Sequence, residues 1–239
     1  DREDIAAQSA VFDVLKNDAA EGGYEFTDVP KQGGARIAKN GLRVGVIDLP
    51  SFYLDMQAKG SGGRSVSADV KAILNEFNAN NVDVCVVDLR FNGGGSLPEV
   101  VALTGFFIAT GAVVQTKPSE IGDIPRSLND PDPSTVWSKP LVIMTSRLSA
   151  SASEIFAGAI REYHRGLIVG DETTHGKGSV QSMMEISDLI FGKLLSRGAA
   201  ANLGALKLTI QGYYLPGGES PQLQGVRSDV VLPQFTNVL

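Results

Sequence analysis

The sequence predicts an α/β domain built on a largely parallel or mixed sheet. Three observations carry this. From Leu42 onward, strand-like segments alternate with segments of helical periodicity; the central strands are continuous apolar runs; and glycine turns or capping residues mark the strand-to-helix joints. An apolar run without polar alternation is what a strand covered on both faces needs, as in a parallel sheet between helices.

Taken in order, residues 1–40 read as an N-terminal helical and loop segment, the tail end of a preceding region, and residues 41–239 as the core. Val11, Val14 and Leu15 have helical spacing, and "EGGYEFTDVPKQGGARIAKNG" reads as loops and a hairpin. "LRVGVIDLPSFY" is a strand, and "SVSADVKAILNEFNANN" a helix with Val70, Ile73, Leu74 and Phe77 on one face. "VDVCVVDLR" is a strand expected to be buried on both sides, closed by the turn "FNGGGS". Ser96 with Glu99 predicts a capping box for the helix "PEVVALTGFFIA", whose first turn tolerates Pro98. Residues 116–139, rich in Pro, Asp and Ser, predict a surface loop. "PLVIMTS" is a buried strand and "SASASEIFAGAIREY" the next helix. "GLIVGDETTHGKGSVQ" gives a strand, a glycine-flanked loop and a strand start, and "LGALKLTIQGYYLPGG" and "GVRSDVVLP" close the chain as strands.

Composition narrows the function classes. With 43% hydrophobic and 20% charged residues the chain is of ordinary globular type. A formal charge of -6 and the lack of a basic run argue against nucleic acid as partner. Cys85, the one cysteine, sits inside an apolar run and reads as a buried small hydrophobe. One cysteine and two histidines without H-E-x-x-H give no metal-site pattern, so no metal or other cofactor is expected. No stretch approaches the about 20 apolar residues of a membrane-spanning helix.

Familiar motifs fail on detail. "GDETTHGKGS" has five residues between Gly170 and Gly176 and a glycine where a phosphate loop needs Ser or Thr after the lysine. "FNGGGS" lacks the third dinucleotide glycine because position 98 is proline. Neither G-x-S-x-G nor S-x-x-K occurs. What remains is a glycine turn with free N–H groups at one strand end, serines at a helix mouth after another, and Lys177 between two glycines after a third. A serine needs a base to become a nucleophile, and lysine serves only where burial depresses its pKa. The bland readings stay beside this one: Ser151 with Glu154 fits a helix-capping box, and a loop lysine is ordinarily solvated. His175 is an alternative base, because histidine is the commoner partner of serine.

"VVDLRFNGGGSLPEVVAL", "PLVIMTSRLSASASEIFAGAIREYHRGLIVGDETTHGKGSVQ" and "LGALKLTIQGYYLPGGESPQLQGVRSDVVLP" stand in this order between Leu42 and Pro233. Together they resemble the C-terminal processing, or tail-specific, serine proteases. The resemblance implies a crotonase/ClpP-like core with a mixed sheet and flanking helices, and cleavage of protein or peptide substrates near apolar C-termini. It implies Ser151 as nucleophile, Lys177 as general base and Gln181 as the residue orienting the lysine amine. Gly94 and Gly95, with the N–H of Ala152, correspond to the oxyanion donors, and Glu154 and Glu162 to supporting positions. A PDZ domain elsewhere in the full-length chain and a bacterial envelope or periplasmic location are also implied. Two features depart from the pattern: Ser151 and Lys177 are 26 residues apart, one more than the resemblance implies, and Glu162 replaces an aspartate. A non-catalytic binder on the same fold and an acyl-CoA enzyme of crotonase type are the competing classes. Ser149 and Ser153 read as structural, His164 as a helix-end residue, Asp88 and Arg90 as fixing a strand end, Phe106, Phe107 and Trp137 as packing, and "FGKLLSRGAAANLG" as a solvated connector.

Overall fold

The computed structural model describes residues 8–12, 36–37, 43–55, 64–118, 124–186 and 204–233. The α/β class with a mixed sheet and flanking helices is what it shows. Strands β3 (Arg43–Asp48), β4 (Val84–Asp88), β7 (Leu141–Thr145), β8 (Leu167–Gly170) and β11 (Val230–Val231) run parallel in that spatial order. Strands β1 (Gln8–Phe12) and β2 (Arg36–Ile37) add antiparallel to β3. A second, antiparallel sheet has the order β6 (Arg126–Leu128), β5 (Val114–Pro118), β10 (Ala205–Tyr214), β9 (Ser179–Glu185).

Helix α1 (Val66–Ala79) starts at Ser65, whose hydroxyl accepts from the Ala68 N–H, and buries Val66, Val70, Leu74 and Phe77. Ile73, expected on that face, is only half-buried. Helix α2 (Leu97–Gly105) starts at Ser96 with Pro98 in its first turn. Only half of the expected capping box forms: Ser96 Oγ accepts from Glu99 N–H at 3.4 Å, but the Glu99 carboxylate accepts from Ser67 N–H at 2.9 Å, joining α2 to α1. Helix α3 (Ala152–Glu162) is buried at every position from Ala152 to Ile160, as a helix enclosed all round must be. Small residues let it in; a Cβ on Gly158 would meet Leu215 Cδ2 at 2.4 Å.

Three expectations are corrected. Residues 8–12 form a strand, not a helix, because pairing with β3 satisfies their backbone groups, which a short apolar spacing alone does not. Val14 and Leu15, like most of "FGKLLSRGAAANLG", lie outside the described residues. The 116–139 loop contains β6 and the end of β5, ordered by pairing with β10 about 95 residues away, as in Gln211 with Pro118. On β4, Cys85 and Val87, like Leu89 just after it, are fully buried, whereas Val84, Val86 and Asp88 are half-buried, so one face is covered more completely. The Cys85 thiol is buried and free, and burial pushes its pKa up. Asp88 and Arg90 do fix the strand end, through an ion pair of 2.6 Å.

Candidate active site

Parallel strands open a crevice at their carboxyl ends, where successive connections diverge. Three neighbouring strands supply this site: residues 89–95 follow β4, residues 146–151 follow β7 and residues 171–178 follow β8. Asn92, fully buried, ties the first two loops. Its Nδ2 donates to Leu49 O (2.8 Å), its Oδ1 accepts from Gly94 N–H (2.8 Å), and its main-chain O accepts from Ala150 N–H (3.1 Å) and Ser153 Oγ (2.8 Å). Ser149 Oγ donates to Leu89 O at 2.7 Å and accepts from Ser146 N–H at 3.0 Å. Ser149 and Ser153 are thus spent on loop structure, as their sequence reading has it.

Ser151 is different. It has φ 57 and ψ -114, a conformation that costs a residue with a Cβ about 1–3 kcal/mol and persists only where the surroundings impose it. The helix start is closed by Glu154, whose Oε2 accepts from the Ser151 N–H at 2.9 Å and whose own N–H donates to the Ser151 main-chain O at 2.9 Å, and Ser151 lines the cavity beside it.

Glu154 is fully buried and accepts four hydrogen bonds. Oε2 receives the N–H of Ser151 (2.9 Å) and of Lys177 (3.0 Å); Oε1 receives Thr174 Oγ1 (2.7 Å) and Gly176 N–H (2.6 Å). One carboxylate thereby holds the main chains of both residues named by the sequence. Tyr213, on β10, donates its hydroxyl to Lys177 O, and burial first, then the charge of Glu154, pushes its pKa far up, so it stays a neutral donor.

Ser151, Ala152, Gly95, Lys177 and Gln181 line one cavity of about 260 Å³, with Leu97, Ile155 and Val180 as apolar wall and Lys207 at its side. The Lys177 amine donates to Gln181 Oε1 at 3.5 Å. Its pKa is held below the ordinary lysine value, first by burial and then by the charge of Lys207, while Glu154 opposes the shift. The 171–178 loop is pinned to Glu154 at positions 174, 176 and 177, and Lys177 lines the same cavity as Ser151.

Not every named residue lands alike. Gly94 is no free oxyanion donor, since its N–H goes to Asn92; it serves packing, because a Cβ there would meet Ser151 Cβ at 2.8 Å. The N–H groups of Gly95 and Ala152 donate to no described residue, and both residues line the cavity. Glu162 accepts from Gly217 N–H at 2.6 Å at the far end of α3, roughly 16 Å along a helix of 11 residues, and supports the turn after β10 rather than the cavity. His175 is exposed, its N–H donates to Ser149 O, and it does not line the cavity. Sequence reading missed Asn92, Tyr213 and Lys207. Only Asn92 carried a signal, as a turn-forming residue before glycines. Among the described residues no group of His, Cys, Asp and Glu could hold a metal ion.

Fold and cavity together define a class, an α/β core in which a strained serine shares a cavity with a desolvated lysine and with main-chain donors that have no partner among the described residues. Comparison with known proteins supplies the family: the profile of Peptidase family S41 matches residues 43–232, and the chain belongs to that family of serine-type peptidases. It is 39% identical over 199 residues to a tail-specific protease of Haemophilus influenzae, covering 82% of this chain and 26% of that relative. It is 32% identical over 197 residues to carboxyl-terminal-processing peptidase 2, chloroplastic, of Arabidopsis thaliana, covering 82% of this chain and 33% of that relative. Among solved structures, a photosystem II D1 C-terminal processing protease superposes with a TM-score of 0.66 at 26% identity, over 95% of this chain and 48% of that one. The chain thus spans about a quarter to a third of the length of these two curated relatives.

Proposed function

We propose that this chain is the catalytic core of an endopeptidase that cleaves protein substrates near their C-terminal tails with a Ser151–Lys177 dyad. One observation carries the reading: the buried Glu154 carboxylate holds the N–H groups of both residues, and both side chains line one cavity. Neutral Lys177 takes the proton of Ser151 Oγ as that oxygen attacks the scissile carbonyl carbon. The carbonyl oxygen becomes the oxyanion, received by the N–H groups of Gly95 and Ala152, each worth about 3 kcal/mol of barrier. The Lys177 ammonium then protonates the leaving amine as the C–N bond breaks, and water, deprotonated by the same lysine, releases the acyl group. Gln181 accepts from the amine and orients it.

The wall of Leu97, Ile155 and Val180 supports a preference for apolar residues at the bond cut. The relatives named as tail-specific and carboxy-terminal-processing proteases support the tail-directed substrate; a PDZ domain elsewhere in the full-length protein and an envelope location belong to the same proposal and rest on the resemblance of the motif blocks. No helix among the described residues is long and apolar enough to cross a membrane.

The test is covalent labelling with a serine-directed probe and location of the label by mass spectrometry. Label on Ser151, lost in Ser151→Ala, is expected; label on Ser149 or Ser153 overturns the assignment. Lys177→Ala should lower kcat by about 10²–10⁴-fold. Activity unchanged in that variant removes the lysine from the mechanism.

A further inference from the structure

Among the described residues, Lys207 is the one polar side chain lining the Ser151 cavity without a task in the proposed reaction. Ser151 attacks, Lys177 is the base, Gln181 accepts from the Lys177 amine, and the Tyr213 hydroxyl is given to Lys177 O. Lys207 donates no hydrogen bond and makes no ion pair among the described residues, whose ion pairs lie at Arg64, Arg90 and Arg161. No aspartate or glutamate lines the cavity. Glu154, whose charge reaches Lys177, is fully buried, and four donors take up its two oxygens.

Strand register fixes where this ammonium is offered. Thr209 of β10 pairs with Gln181 of β9, and Lys207 with Met183. Successive side chains of a strand point to opposite faces, so Lys207 and Gln181 share a face as diagonal neighbours about 7–8 Å apart, within reach of a long side chain. Gln181 in turn receives the Lys177 amine at 3.5 Å, and the Lys177 pKa is lowered first by burial and then by the Lys207 charge. Leu206 and Leu208, on either side of Lys207 in the chain, are exposed on the opposite face. This part of β10 therefore turns a charge toward the cavity and its leucines outward, the reverse of the alternation that hydrophobic burial produces. Lys207 is itself accessible to solvent, so a ligand can reach it.

An ammonium without a partner takes an anion, and the anions of an unmodified peptide are carboxylates, on Asp and Glu side chains and at the C-terminal end. We propose that Lys207 is a specificity-determining residue whose ammonium binds a carboxylate of the peptide substrate close to the bond cut. The proposal rests on the protease reading in one respect: the carboxylate belongs to the peptide that occupies the Ser151 cavity.

The test uses the full chain carrying Ser151→Ala and amidated ten-residue peptides of Ala, Ser and Leu that bear a neutral fluorophore, with Asp or Asn scanned through each position. A second series ends at each position in turn, as the free acid or as the amide. Anisotropy titration should show the carboxylate form binding about three- to tenfold more tightly than its neutral partner at one position of at least one series. Preference in the second series assigns a chain end, and preference in the scan assigns a side chain. Lys207→Met should bring that ratio close to one, and Lys207→Glu should invert it, so that Lys at the scanned position, or the amide at the chain end, binds better. Equal binding of acid and neutral forms throughout both series overturns the proposal. A ratio that stands in Lys207→Met overturns it as well, whether all peptides weaken alike, as from a folding defect, or none does, as from a role confined to the Lys177 amine. Cleavage by the chain with Ser151 intact is followed separately: cleavage that persists in Ser151→Ala defeats the dyad and leaves the binding ratio to decide on Lys207.

Discussion

Ser151 and Lys177 are placed less by their own side chains than by what holds their backbones. Glu154→Gln keeps the size of the side chain but turns an amide N–H₂ toward donors that now lack an acceptor. The variant should lose about 2 kcal/mol of stability in denaturant unfolding and at least about 10²-fold in kcat/KM, because small displacements of reacting groups are costly. The pH profile separates the two charges that flank the base. In the proposed mechanism Lys177 acts as the neutral amine, so activity is expected to rise with pH through its pKa, which lies below the ordinary lysine value. Lys207 helps to depress it, so Lys207→Met should move the acidic limb of kcat/KM to higher pH. Glu154 opposes the shift, so the residual activity of Glu154→Gln should show that limb at lower pH. Limbs moving in the same direction in both variants would contradict this electrostatic account. The two serines beside Ser151 were legible as structural from their positions at a helix mouth. Tyr213 and Lys207 were not, because they reach the cavity from a strand whose approach no local pattern encodes.

At the scale of elements, the glycine turn after β4 joins the sheet to the site, and its glycines are not equivalent. Gly95 has φ 147 and lies against Phe52, so that a Cβ would meet the Phe52 main-chain O at 2.3 Å. Gly93 has nothing within 4 Å of a Cβ. Gly95→Ala should therefore lower the melting temperature markedly, reflecting a cost of about 1–3 kcal/mol or more, and abolish cleavage. Gly93→Ala should stay within about 0.5 kcal/mol of the parent in stability. Equal melting temperatures for the two would deny the close approach of Phe52. Helices α1, α2 and α3 and the central strands were legible, since cap residues and apolar periodicity are local. The β5–β6 hairpin and β1 were not: their order comes from partners, β10 and β3, far away in the chain.

For the whole molecule, one core among the described residues joins the two sheets and helices α1, α2 and α3. Trp137 lies in it fully buried, edge-on to Phe77 at 6.3 Å between ring centroids, with its indole N–H donating to Pro140 O at 3.0 Å. Trp137→Ala should cost about 3–5 kcal/mol, lowering the midpoint of thermal unfolding followed by circular dichroism by roughly 6–20 °C. A loss below about 1 kcal/mol would show that this corner packs independently of the core. By itself the sequence determined the α/β class, the largely parallel or mixed sheet and the helix starts, because periodicity and caps lie in contiguous stretches, and it singled out Ser151 and Lys177 only through the resemblance of the motif blocks. Only the tertiary structure decided that the Glu154 carboxylate holds the main chains of both Ser151 and Lys177, that Gly94 has no donor to spare, and that Glu162 and His175 stand away from the cavity. Those outcomes depend on which donor reaches which acceptor once β4, β7 and β8 bring their loops together, and a hydrogen bond has one geometry in space but no fixed spacing along a chain.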